Sequence, residues 1–200
     1  MRNLDLNKEK VRIIDFIRNY LSNAERDRLV VGLSGGVDSA VSTALAVEAI
    51  GSSNVTALIM PYETSNSESV ADASELAKQL GIDYQIIDIT PVTKAYFENY
   101  APEADHLRIG NWLARIRMCV LYDFSAKLQA LVLGTSNRTE FMIGYFTQFG
   151  DSACAFEPIG HLYKTEVWKL AKILHIPEKI INKTPTADLW PGQSDEQEIG

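Results

Sequence analysis

Cysteine and histidine are scarce: the 200 residues hold two of the first and three of the second. Cys119 and Cys154 stand far apart with no CxxC pair, too few for a disulfide framework or a cysteine-rich zinc site. Each reads as a small buried hydrophobe. His106, His161 and His175 are scattered and form no HExxH, which leaves a histidine-based metal site without a basis. No apolar run is long enough to span a bilayer, and the polar start MRNLDLNKEK has no signal-peptide core. The expectation is a cytoplasmic chain with no membrane partner. Positive charge is short as well: 19 Lys and Arg against 26 Asp and Glu give a formal charge of −7. A nucleic-acid partner is therefore not expected, because neutralising a phosphate backbone needs a basic surface. A local basic pocket for one small anion stays open. Repeats and low-complexity linkers are also missing.

What is present is an ordinary globular composition, 46% hydrophobic and 22% charged, able to form a core without disulfides. Apolar positions Leu6, Val11, Ile14, Ile17 and Leu21 have helical spacing. Residues 28–33 read as a buried strand, followed by a glycine turn at 34–36 and a helix with Ala40, Val41, Ala44 and Leu45 on one side. A second strand is expected over 54–60. The next helix carries Val70, Ala73, Leu76, Ala77 and Leu80, with Gly81 as its stop, and a third strand follows over 83–89. Residues 99–110 read as irregular. A long helix follows over 111–127, with Leu113, Ile116, Val120 and Phe124 in register. A fourth strand over 130–134, a short helical stretch near 137–141 and an amphipathic helix over 164–174 complete the pattern. Residues 184–200 carry polar turn signals. Alternating strands and helices predict an α/β chain, a Rossmann-like open parallel sheet with helices on both faces.

The sharpest feature is Ser34-Gly35-Gly36-Val37-Asp38-Ser39, directly after a strand and before a helix. In an open α/β sheet, ligands bind outside the carboxyl ends of the strands. Two glycines permit positive φ and close backbone approach to a phosphate, and the following helix N-terminus offers free N–H groups. Asp38 beside a phosphate makes sense if it holds Mg²⁺, which bridges carboxylate and phosphate oxygens. The plain alternative is a tight strand-to-helix turn with Asp38 as a helix-start residue. The loop is neither a Walker A motif nor G-x-G-x-x-G.

This turn resembles the signature of the PP-loop ATP pyrophosphatases, which adenylate a substrate oxygen and release pyrophosphate. Five segments together are similar to the ammonia-dependent NAD synthetases: GLSGGVDSA (32–40), NWLARIRMCVLY (111–122), LGTSNRTEFMIGYFTQFGD (133–151), PIGHLYKTEVWKL (158–170) and KTPTADLWPGQSDE (183–196). The resemblance implies an adenine nucleotide alpha hydrolase-like fold and a ligase that amidates deamido-NAD with ammonia through an acyl-adenylate, releasing AMP and pyrophosphate. It implies that Gly32, Leu33, Ser34, Gly35, Gly36, Val37, Asp38 and Ser39 hold ATP, together with Thr135, Lys164 and Thr186. It also implies that Asp38 and Glu140 hold Mg²⁺ and that Arg115 binds deamido-NAD. No protein nucleophile is called for.

Two positions depart from many members: Gln148 stands where a lysine is common and Ala155 where an aspartate is common. Another PP-loop adenylating enzyme and a non-catalytic ATP-binding paralogue remain as alternatives. The chain reads as a single PP-loop synthetase domain over 1–200, cut short at its C-terminus. The resemblance also implies a homodimer. The N-terminal helix and the 111–127 helix are interface candidates, and both equally suit a role as plain cover for the sheet.

Overall fold

The computed structural model describes residues 4–184. Four parallel strands form one sheet in the order β3-β2-β1-β4: β1 is Leu29–Gly32, β2 Val55–Ile59, β3 Asp83–Ile86 and β4 Leu131–Leu133. The helices are α1 Leu6–Asn23, α2 Val37–Ile50, α3 Ser67–Leu80, α4 Thr90–Tyr100, α5 His106–Leu128, α6 Arg138–Ile143, α7 Lys164–Ile173 and α8 Glu178–Ile181. Strand alternation sorts the core into two layers. Leu29, Val31, Val55, Ala57 and Leu133 point to the face covered by α1, α2, α3 and α7. Val30, Leu58 and Val132 point to the face covered by α5 through Leu113, Met118 and Leu121. Helices thus lie on both faces, as expected from right-handed crossovers.

Strand order sets where a ligand crevice can form. The chain runs outward from β1 through β2 to β3, then returns by way of α4 and α5 to place β4 on the other side of β1. The switch point therefore lies between the carboxyl ends of β1 and β4, where such sheets open. The turns that leave those two strands are 33–36 and 134–137.

Several expectations needed correction. Within 99–110 only 101–105 are irregular: α4 fills 90–100 and α5 begins at His106, with the Asp105 carboxylate accepting from the Arg108 N–H at 2.8 Å. α4 escaped notice because it rides on the rim, with Thr93 its only buried residue, so it has no apolar stripe to read. The buried face of α5 is Gly110, Leu113, Met118 and Leu121; Ile116, Val120 and Phe124 flank it half-covered. In α1, Val11 faces solvent and Ile13 takes its place in the core. The third strand stops at Ile86, although Ile87 N–H still donates to Ile59 O at 2.8 Å. Cys119 is exposed and Cys154 only partly buried, so neither is a fully buried hydrophobe. The expectation for 184–200 falls almost wholly outside the described residues. Among those described, no helix is long and apolar enough to cross a membrane.

Candidate functional site

The turn after β1 is built by its own side chains. Ser34 N–H donates to Ser39 Oγ at 3.3 Å, Ser39 Oγ donates to Gly36 O at 3.1 Å, and Gly36 N–H donates to Ser34 Oγ at 3.3 Å. Gly35 has φ +83°, and a Cβ there would lie 2.3 Å from the Ser69 carbonyl oxygen. Both facts demand glycine. Gly36 stands at the cap position before α2 and supplies no side-chain cap, which leaves the N-terminal N–H groups and the positive dipole end turned to the crevice.

The turn after β4 brings a second set of groups. Asn137 is fully buried. Its Nδ2 donates to Asp38 Oδ1 at 2.9 Å and to Glu140 Oε1 at 2.7 Å. Its Oδ1 accepts from Glu140 N–H at 3.2 Å, while Glu140 Oε2 accepts from Asn137 N–H at 3.1 Å, a reciprocal capping box that starts α6. Lys164, the first residue of α7, places its ammonium against Asp38 Oδ2 and 3.7 Å from Glu140 Oε1. A lysine at a helix start opposes the macrodipole; here the two carboxylates offset that. Thr139 Oγ1 accepts from the Lys164 N–H at 3.1 Å and joins α6 to α7.

These groups converge on a cavity of about 530 Å³ at the carboxyl edge of the sheet. Gly32, Leu33, Ser34, Gly36, Val37, Asp38, Ser39, Thr135, Glu140 and Lys164 all line it. Arg115 does not: it is exposed, and its Nε donates to Gln148 O at 3.1 Å. Thr186 lies outside the described residues. Sequence reasoning passed over Arg117, which is on the cavity wall with its Nε donating to Met60 O at 3.0 Å. The spacing of Leu107, Asn111, Ala114, Met118 and Leu121, the α5 wall of the cavity, is the signal that marks this face. It also missed Asn137, whose position between Asp38 and Glu140 no linear spacing reveals.

Below the second turn lies a half-buried pair. Glu157 Oε2 accepts from Ser136 N–H at 2.9 Å and Oε1 accepts from the Cys154 thiol at 3.0 Å. Burial pushes Glu157 up to about 7, against the pull of those two donors. Burial also raises the Cys154 thiol, and the neighbouring Glu157 adds to it. A Cβ on Gly134 would sit 2.3 Å from the Glu157 carboxyl and 2.4 Å from Cys154 Sγ. The glycine after β4 thus leaves room for this pair. Asp151, on the far wall, is raised by desolvation while the Thr147 N–H, donating at 2.8 Å, lowers it.

Chemically, the site offers backbone and hydroxyl donors for phosphate on one side and two carboxylates that converge on one ammonium and one amide on the other. That pair suits a hard divalent cation completed by phosphate oxygens, since Mg²⁺ is commonly held by one or two carboxylates plus substrate. The described residues include no group of three or more His, Cys, Asp or Glu placed to hold a metal by themselves.

Comparison with known proteins agrees. The model of the family described as NAD synthase matches residues 9–200. The chain is 49% identical to the NH3-dependent NAD+ synthetase of Fusobacterium nucleatum, over 100% of this chain and 78% of that one. It superposes on the NMN synthetase of Francisella tularensis with TM-score 0.93 at 36% identity, covering 98% of this chain and 82% of that one. It superposes on the NH3-dependent NAD synthetase of Campylobacter jejuni with TM-score 0.85 at 42% identity, covering 90% and 78%.

Proposed function

Because the chain belongs to the NAD synthase family, a family of C–N bond-forming ligases, we propose that the crevice between β1 and β4 is where ATP and deamido-NAD react. The observation that carries the assignment is the meeting of Asp38, Asn137, Glu140 and Lys164 beside the uncapped glycine turn. The nicotinate carboxylate attacks the α-phosphorus of ATP; the Pα–O bond to the β-phosphate breaks and pyrophosphate leaves. Ammonia then attacks the acyl carbon of the adenylate, the acyl–oxygen bond breaks, and AMP leaves with its electron pair. The nitrogen loses a proton, for which Asp151 is the nearby acceptor.

Carboxylate oxygen is a poor leaving group, and adenylation replaces it with a phosphate. The protein contributes positioning and charge neutralisation. The 33–36 turn and the start of α2 cradle the phosphates, with Ser34 and Thr135 as hydroxyl donors and Ser39, whose proton goes to Gly36 O, holding the turn in shape. Lys164 offsets charge that develops on the departing pyrophosphate. Asn137 holds the two carboxylates at fixed separation. Asp38 and Glu140 would hold Mg²⁺, which supplies Lewis-acid neutralisation of phosphate oxygens. Arg115 is assigned to deamido-NAD; its bond to the Gln148 carbonyl ties α5 to the loop that departs from many members. A cytoplasmic homodimer that uses ammonia directly belongs to the same reading.

The test is AMP release from Mg-ATP with deamido-NAD and ammonium each added or omitted. Release that needs both substrates and falls by at least about a hundredfold in Asp38→Ala supports the assignment. Turnover retained in that variant refutes the role of Asp38.

A second reading concerns the acceptor. The likeness to the NMN synthetase structure, with Gln148 and Ala155 in place of a lysine and an aspartate, favours a mononucleotide as a competing substrate. The chemistry is unchanged, since the nicotinate carboxylate is common to both. Comparing kcat/KM for deamido-NAD and nicotinate mononucleotide decides between them.

A further inference from the structure

Asp72 and Lys183 stand beside the glycine turn but belong neither to that turn nor to the cluster of Asp38, Asn137, Glu140 and Lys164. The Asp72 side chain, on α3, is 9% exposed and takes two ammonium groups, Lys179 at 2.7 Å and Lys183 in closer contact. Burial pushes its carboxyl up, and the hydrogen bonds from the two lysines outweigh that and hold it below the ordinary range. One cation is enough to neutralise one carboxylate. The two lysines face different ways. Lys179 is 46% exposed and also holds Glu75 at 2.7 Å on the outer surface. Lys183 is 21% exposed, lines the cavity, and lies 3.4 Å from Ser69 Oγ. Ser69 is the residue whose carbonyl presses on Gly35. The contacts Gly35–Ser69–Lys183 thus bring an ammonium to the flank of the turn from an element other than the one that carries Lys164. An ammonium has three donors; Asp72 and Ser69 take two.

We propose that Lys183 is a second cation for the polyphosphate in this cavity, binding the β- and γ-phosphates and the pyrophosphate they become, with Asp72 as its positioning residue. The proposal rests on the reading that the glycine turn holds ATP. Asp72 keeps the ammonium on the cavity wall instead of in solvent, and the third donor is left for a phosphate oxygen. Lys164 meets the polyphosphate from the side of Asp38 and Glu140, and Lys183 adds an ammonium from the Ser69 side of the turn.

The experiment is calorimetric titration of the full chain with inorganic pyrophosphate and, separately, with AMP, both with Mg²⁺. Lys183→Met should weaken pyrophosphate binding by about tenfold or more and leave AMP binding unchanged, which also reports an intact fold. Lys183→Arg should recover part of the loss. The double variant Asp72→Asn/Lys183→Met separates the proposal from simple charge balance: the loss persists if Lys183 contacts phosphate. Recovery in the double variant, or unchanged pyrophosphate binding in Lys183→Met, overturns the proposal while the nucleotide site stands. Failure of the unaltered chain to bind pyrophosphate or ATP overturns both.

Discussion

Glu157→Gln should remove a pH-dependent penalty from the folded state. In the unfolded chain this carboxyl titrates near 4.5; in the fold, burial raises it to about 7. The native state therefore holds a proton that the unfolded state has released across that window, and stability falls as pH rises from 4.5 through 7. At about 1.4 kcal/mol per pH unit the full effect is about 3 kcal/mol. Glutamine keeps an oxygen for the Ser136 N–H and carries no charge. The variant should match the parent at pH 5 and exceed it at pH 9. For a chain of this size, the gap corresponds to a Tm difference of about 6–12 °C. The assay is thermal unfolding of both proteins without ligand at several pH values, read as the difference so that other titrating groups cancel. A difference that stays flat from pH 5 to 9, or that favours the parent at high pH, refutes burial as the dominant influence on Glu157.

Gly35→Ala should abolish ATP binding and lower stability, because its φ of +83° and the Ser69 carbonyl 2.3 Å from the new Cβ leave no room; calorimetry and thermal unfolding check both. Asn137→Ala removes the amide between Asp38 and Glu140 and should cut turnover by about tenfold to a hundredfold, read as AMP release. Leu113→Ala, at a position with no exposure, should destabilise the fold by about 2–5 kcal/mol in denaturant titration. Thiol labelling of the native chain should modify exposed Cys119 first and spare Cys154, whose raised thiol stays protonated; equal rates contradict that arrangement.

Period and punctuation made the sheet readable. β1, β2 and β4 are short apolar runs, and α3 ends where Gly81 adopts φ +66°. The phosphate turn was legible because Ser34, Gly35 and Gly36 fall between a strand and a helix whose first turn carries Asp38 and Ser39. α4 was not, since its apolar residues are exposed or half-covered at the rim. The burial of α5 was misplaced by part of a turn because one face meets the sheet and its neighbour is half-covered. Asn137, Glu157 and Lys183 escaped for a different reason. Their meaning lies in partners from other elements, and a single sequence does not state which carboxylate an amide or lysine will meet.

The site is assembled from remote parts of the chain. Asp38 meets Asn137 across 99 positions and Lys164 across 126. Contacts that close such long loops form only when the strands between them are in register. A partly folded chain therefore has no place to hold nucleotide, and nucleotide binding counts only finished molecules. By mass action, ligand at a hundred times its Kd adds about 2.7 kcal/mol to the folded state. Nucleotide in this crevice would therefore act on the whole fold, holding together at one point segments that the chain keeps more than a hundred positions apart.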